Sequence, residues 1–302
     1  MAKTQFLTLN DLSAPVLFKV LERAHALKKS YQAREFSQTL KQHVLAMIFE
    51  KPSTRTRVSF EAGMTQLGGS AVFLSPTDTQ LGRGEPLEDT ARVLSEMVSV
   101  VMIRTDDHNK LERFAKVATI PVVNGLSDSC HPCQLLADLQ TMQERFGDVR
   151  NLRVAWIGDG NNVCQTYLEA ANIFEFDLTV ATPATYKPEP EWIEKANGRA
   201  RFVDSPEEAV EGAQVVATDV WTSMGQEDEI DDRLLAFNGY QITPALLDSA
   251  AKDVCFLHCL PAHEGEEISK NLFADRRTNS VWSQAGNRLH AQKALLEHLI
   301  NG

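Results

Sequence analysis

Short apolar runs alternate along this chain with segments whose apolar residues recur every three or four positions. In the first half, the runs predict buried strands at Val44–Phe49, Ala71–Leu74, Val98–Ile103 and Ile120–Val123. Helical spacing between them predicts helices over Thr56–Leu67, Leu87–Met97 and Lys110–Val117. In the second half, strands fit Leu152–Ile157, Leu178–Ala181, Gln214–Thr218 and Val254–His258. Helices there fit Asn162–Ile173, Pro190–Ala196, Pro206–Glu211 and Pro244–Ala251. Regular alternation of this kind predicts an α/β protein with parallel sheets and helices on both faces.

The 302 residues exceed one compact core, so two α/β domains of similar size are expected. Cys133–Arg145 reads as an amphipathic helix with Leu135, Leu136, Leu139 and Met142 on one side, broken by Phe146-Gly147-Asp148. The boundary is therefore placed at Gly147, giving domains 1–146 and 147–287, joined by helices. A last helix is read from Arg288 to the C-terminus (288–301), packing back onto the first domain. The polar stretch from Ser75 to Pro86 is longer than an ordinary connection and is expected to be a loop.

Charge narrows the partners. The formal charge is −11, from 30 basic and 41 acidic residues, which disfavours nucleic acid and anionic membranes as partners. No apolar run approaches the ~18–20 residues of a membrane span, and the charged opening segment lacks a signal-peptide core. Five cysteines, an odd count in an acidic chain, suit reduced thiols in the cytoplasm better than a disulfide framework.

Parallel α/β sheets bind ligands beyond the carboxyl ends of their strands. Six strands here lead into polar, chemically capable groups. Ser53-Thr54-Arg55-Thr56-Arg57 follows the first, where helix N–H groups and guanidiniums suit a phosphate-like anion. Arg104 follows the third strand, and Asn124 with His131-Pro132-Cys133-Gln134 follows the fourth. In the second half come Gly158-Asp159-Gly160-Asn161-Asn162, Asp219-Val220-Trp221-Thr222-Ser223-Met224-Gly225 and His258-Cys259-Leu260-Pro261.

Several of these admit other readings. The serine–arginine turn could be only a capped helix with solvated arginines. Gly158-Asp159-Gly160 resembles a truncated dinucleotide fingerprint, but its third glycine is replaced by Val163 and no acidic residue closes the next strand. Cys130-His131-Pro132-Cys133 could be a redox pair or, with Cys255, His258 and Cys259, part of a zinc site.

Taken together and in order, four elements resemble those of the aspartate/ornithine carbamoyltransferase family, nearest its ornithine branch. They are Ser53–Arg57, the H-P-x-Q of His131–Gln134, the D-x-x-x-S-M-G of Asp219–Gly225 and the H-C-L-P of His258–Pro261. The resemblance implies a Rossmann-like second domain and transfer of a carbamoyl group from carbamoyl phosphate to the side-chain amine of L-ornithine, giving L-citrulline and phosphate. It leaves open a carbamoyltransferase for another amine, such as putrescine or an acylated ornithine. It implies no metal and no organic cofactor. It implies that Ser53, Thr54, Arg55 and Thr56 bind the phosphate, with Gln80 reaching in from a neighbouring subunit of a homotrimer. Arg104 would bridge the phosphate and the carbonyl oxygen, and His131 and Gln134 would hold the carbamoyl group, with Cys259, Leu260 and Arg288 completing that site. Asn162, Asp219, Ser223 and Met224 would hold ornithine, with Asn124 and Asn161 as further candidates. Arg104, His131, Asp219 and Cys259 would carry the chemistry. One departure is visible: the family pattern before the last helix has a glutamate where this chain has Gly286, which predicts a loosened Arg288.

Overall fold

The computed structural model describes residues 4–75, 84–223 and 225–302. The expected loop from Ser75 to Pro86, with Gln80, and the ornithine candidate Met224 therefore lie largely or wholly outside the described residues. The chain divides into two compact units, Met1–Gln140 with Gly286–Gly302, and Thr141–Ala285.

The first unit opens with α1 (Ala14–Gln32), whose Leu17, Val20, Leu21, Ala24 and Leu27 form one buried stripe. The strand–helix alternation does not include this helix, because Lys19, Glu22 and Arg23 interrupt its apolar positions. Then follow β1 (Val44–Phe49), α2 (Thr54–Gln66), β2 (Ser70–Leu74), α3 (Leu87–Ser95), β3 (Val100–Arg104), α4 (His108–Val117), β4 (Val122–Leu126) and α5 (Pro132–Phe146). The four strands form one parallel sheet in the order β2-β1-β3-β4. β3 is buried along its whole length, as expected when helices cover both faces of a parallel sheet.

The second unit contains β5 (Arg153–Ile157), α6 (Asn162–Phe174), β6 (Asp177–Ala181), α7 (Pro190–Lys195), β7 (Ala200–Val203), α8 (Pro206–Val210), β8 (Val215–Thr218), α9 (Ile230–Ala236), α10 (Pro244–Leu247) and β9 (Cys255–His258). Its sheet is also wholly parallel, in the order β7-β6-β5-β8-β9. β7 escaped the sequence reading because it is a four-residue edge strand with an exposed arginine, Arg201. Ala155, Ile157, Val216, Phe256 and Leu247 lie in the core of this unit.

The chain ends in α11 (Ser280–Asn301). The expectation that this helix starts at Arg288 is corrected: it begins eight residues earlier, so Arg288 lies inside it. Its second and third turns bury Gln284, Asn287 and Arg288 rather than apolar groups, so no hydrophobic stripe announces them. No helix among the described residues is long and apolar enough to cross a membrane.

Candidate functional site

In each sheet, strand order reverses direction at one place, and ligands of open α/β sheets bind beyond the strand ends there. In the first unit the reversal falls between β1 and β3. The turn into α2 and the end of β3 therefore meet, bringing Ser53–Thr56 to Arg104. In the second unit it falls between β5 and β8, which brings Gly158–Asn162 to Asp219.

Ser53 caps α2: its Oγ accepts from the Thr56 N–H at 3.3 Å. The rest of the first turn directs its N–H groups out of the helix start. Arg55 is half-buried and Thr54 exposed. Arg57, counted in the sequence as a second guanidinium of this turn, faces elsewhere. It lies 3.9 Å over the Phe73 ring and pairs with Glu61 at 3.4 Å.

Arg104, the last residue of β3, is buried, and so is His131, just before α5. The imidazole is held well below its ordinary pKa, chiefly by burial and then by the positive charges of Arg288, Arg104 and Arg55. His131 is thus a neutral ring among three guanidiniums, able to donate a hydrogen bond without carrying charge. Gln134 uses its amide within the protein: Nε2 donates to Asp138 Oδ1 at 2.8 Å, and Oε1 accepts from Arg288 Nη1 at 2.7 Å. Arg288 Nη2 also donates to Thr56 Oγ1 at 3.3 Å.

Two sequence expectations in this unit are corrected. Gly286 does not loosen Arg288 by removing an adjacent carboxylate. Positions two apart on a helix face different ways; Gly286 is exposed, and a Cβ there meets nothing within 4 Å. Asn124 lies within β4 and is fully buried, its Nδ2 donating to the Leu7 carbonyl at 2.9 Å, which makes it a structural residue of that corner.

The Cys130/Cys133 pair is also structural in its geometry. Both are buried free thiols; Cys130 Sγ donates to the Leu7 carbonyl and Cys133 Sγ to the Asn124 carbonyl. Burial pushes the Cys133 thiol up to about 12, far from the thiolate that redox or zinc chemistry needs.

In the second unit, Asp219 follows β8 and is mostly buried. Its Oδ1 accepts from the Val220 N–H at 2.8 Å and from the Cys259 thiol at 2.9 Å, and its Oδ2 accepts from Asn161 Nδ2 at 2.8 Å. Asn161 also caps α6 by accepting from the Val163 and Cys164 N–H groups. It is thus a support for Asp219, while Asn162 opens the helix itself. Ser223 is half-buried, its N–H donating to Gln226 Oε1 at 2.9 Å.

Beyond β9, His258 accepts from the Leu260 N–H on Nδ1 at 2.9 Å. Its Nε2 must then carry the proton, which faces Glu267 Oε1 at 3.0 Å. Glu267 also accepts from the His263 N–H at 2.6 Å. Leu260 has φ 62°, a left-handed conformation that a leucine adopts only when its surroundings impose it. Asp219, His258 and Cys259 bring ligand atoms within 4.8 Å of one another, a grouping that could hold a metal. Both His258 nitrogens are engaged outside the trio, by the Leu260 N–H and Glu267, while Cys259 and Asp219 are bonded to each other.

A further support was absent from the sequence reading. Arg233 of α9 is buried and donates to Asp159 Oδ2 and to the Trp221 carbonyl, each at 2.9 Å. Its guanidinium lies 4.6 Å over Tyr186. It ties the segment after Asp219 to the Gly158–Gly160 turn. Nothing in the local sequence marks Arg233, which sits 74 residues from Asp159. The same turn argues against a dinucleotide site. A Cβ on Gly160 would run into the Tyr186 carbonyl and Pro188, so the glycine admits the chain's own backbone where a pyrophosphate would have to lie.

Comparison with known proteins agrees with this geometry. Residues 4–144 match the family model "Aspartate/ornithine carbamoyltransferase, carbamoyl-P binding domain", and residues 150–299 match "Aspartate/ornithine carbamoyltransferase, Asp/Orn binding domain". An anabolic ornithine carbamoyltransferase of Pseudomonas aeruginosa is 56% identical over 300 residues, covering 99% of this chain and 98% of that protein. An ornithine carbamoyltransferase of Acinetobacter baylyi is 54% identical over 301 residues, covering 100% and 98%. The solved ornithine carbamoyltransferase of Pyrococcus furiosus superposes with a TM-score of 0.94 at 44% identity, covering 100% of this chain and 98% of that one.

Proposed function

This chain belongs to the aspartate/ornithine carbamoyltransferase family, and on that premise we propose that it transfers the carbamoyl group of carbamoyl phosphate to the side-chain amine of L-ornithine. The new bond joins that nitrogen to the carbonyl carbon; the carbon–oxygen bond to phosphate breaks, and the amine gives up a proton. The products are L-citrulline and phosphate. The observation that carries this reading is the buried His131 with the charges of Arg288, Arg104 and Arg55 acting on it, beside the start of α2.

A phosphate dianion asks for several converging cations and N–H groups, and Ser53, Thr54, Arg55, Thr56 and Arg288 supply them. As the amine attacks, the carbonyl oxygen gains negative charge. Arg104 and His131 are the prealigned donors for it, held before the reaction begins. Gln134 orients the carbamoyl end and holds Arg288. Cys259 and Leu260 are the further residues proposed for carbamoyl phosphate.

Ornithine must present its side-chain amine uncharged, although a free alkylamine is protonated up to ~10. Asp219 pairs with the α-ammonium, and Asn162 binds the backbone groups of the amino acid. Ser223 and Met224 are the further residues proposed for ornithine, and Cys259, bonded to Asp219, positions the attacking amine and takes part in its deprotonation. Neither step calls for a metal or an organic cofactor.

The assembly proposed is a homotrimer with Gln80 supplied across subunits. Val58, Val72, Val93 and Met97 of the first unit are 46–70% exposed, apolar surface that a neighbouring copy would cover. The domains proposed are 1–146 with the helix 288–301 for carbamoyl phosphate and 147–287 for ornithine. The name "anabolic" of the Pseudomonas aeruginosa relative supports operation toward citrulline in arginine biosynthesis; the location proposed is the cytoplasm.

The test is a citrulline assay with carbamoyl phosphate and a panel of ornithine, putrescine and N-acetylornithine. Turnover of ornithine alone, sharply reduced in Arg55→Ala at subsaturating carbamoyl phosphate, is the expected result. Preferred turnover of putrescine or the acylated amine would replace ornithine in this reading.

A further inference from the structure

Arg288 comes from the interior of α11, where the neighbouring buried positions Gln284 and Asn287 are also polar, and its guanidinium has to be held there. The residue one turn further on, Gln292, is fully buried. Its amide orientation follows from its neighbours, with the oxygen toward the guanidinium donors and the nitrogen toward a hydroxyl. In that orientation the oxygen accepts from Arg288 Nε at 3.0 Å and Nη2 at 2.8 Å, and the nitrogen donates to Ser59 Oγ at 2.5 Å. Ser59 in turn donates to the Arg55 carbonyl at 2.6 Å and lies 3.1 Å from that of Thr56.

We infer that Gln292 is a positioning residue for carbamoyl phosphate, acting through Arg288 and, by way of Ser59, fixing that guanidinium relative to the Arg55–Thr56 turn. The inference rests on the proposed carbamoyl phosphate site. Three acceptors, Gln292, Gln134 and Thr56, grip the guanidinium on Nε, Nη1 and Nη2. A planar fork gripped on several nitrogens cannot swivel, so it meets the phosphate in one orientation without a cost in side-chain entropy at binding. Gly286, the departure nearest Arg288 in the sequence, is on another face of the helix and takes no part. Gln292 is the residue that holds it.

The experiment compares wild type, Gln292→Leu, Arg288→Lys and the double variant by citrulline assay, with each substrate varied in turn. Calorimetry of wild type with carbamoyl phosphate runs alongside. Gln292→Leu should raise KM for carbamoyl phosphate by roughly tenfold to a hundredfold, the usual consequence of removing acceptors from a buried charged donor. KM for ornithine should stay within about twofold, since the two substrates use separate residues. In the Arg288→Lys background the same substitution should cost less than about threefold more, because the fork it holds is gone.

An unmoved KM for carbamoyl phosphate, or fully additive losses in the double variant, overturns the inference. If Gln292→Leu does not fold, Ser59→Ala deletes the hydroxyl that anchors the amide and must raise the same KM; an unchanged value overturns it equally. No heat from carbamoyl phosphate in wild type would remove the parent reading and this inference together. Heat in wild type with indifferent variants would remove this inference alone.

Discussion

The Cys259 thiol donates to Asp219 Oδ1 across 2.9 Å, and the Val220 N–H and Asn161 hold the same carboxylate from two other directions. A carboxylate fixed by three donors cannot turn to follow a substrate. The ligand must come to it, which is how a subsite imposes one pose on a flexible amino acid.

Cys259→Ala should therefore lower kcat by ~10²-fold, the lower range for losing a group that assists proton transfer. The Asp219→Asn variant should instead raise KM for ornithine as well, since the α-ammonium loses its counter-charge. Steady-state kinetics with ornithine varied separates the two patterns.

Arg104→Gln removes a donor to the developing oxyanion without unsettling the phosphate turn. A loss of ~10²–10³ in kcat is expected, with a smaller change in KM for carbamoyl phosphate. Arg55→Ala should show the reverse emphasis, with KM for carbamoyl phosphate rising most.

His131 links the site to stability. Unfolded, an imidazole titrates near ~6.5; in the fold it is held well below that by burial first and then by Arg288, Arg104 and Arg55. Below about pH 6.5 the native chain thus binds fewer protons than the unfolded one. The contribution is present above that pH and is lost progressively as pH falls toward the folded value. Thermal unfolding from pH 8 to 5 should show wild type losing more Tm than His131→Gln. Nitrogen-15 spectra should show a neutral ring at pH 6.5.

Asp159 behaves in the opposite sense. Burial pushes its carboxyl up to about 6, with the charge and hydrogen bond of Arg233 only partly offsetting it and Asp219 adding to it. Since an unfolded aspartate titrates near ~3.9, the native chain binds more protons between about 4 and about 6. That contribution is complete below the lower value and lost as pH rises through about 6. Carboxyl carbon-13 spectra should show one aspartate titrating near about 6, and Asp159→Asn should abolish it.

The thiols give a simple check. Cys130, Cys133, Cys164 and Cys255 are buried and Cys259 is half-buried. A thiol reagent at neutral pH should modify Cys259 first, with ornithine slowing it, while the other four react only on unfolding. Rapid modification of Cys133 would contradict a thiol pushed up to about 12.

What the chain's own order of residues determined is its alternation of elements and the polar groups that follow the strands. A buried parallel strand is a run of apolar residues and a covering helix is a periodic one, so Val44–Phe49 and Pro132–Phe146 announce themselves locally. The loop groups Ser53–Thr56, Asp219 and His258–Leu260 were legible for the same reason, since each sits just past such a run. Tertiary structure alone decided how these groups are held. Arg288 lies 154 residues from Gln134 and 232 from Thr56. Gln292 grips it from among the buried leucines of the same helix, where local pattern marks burial but not the partner, and Arg233 meets Asp159 across 74 residues. Local pattern records which side chains must leave water. The pairing of buried polar groups depends on which strands become neighbours, and nothing short of the folded sheet order specifies that.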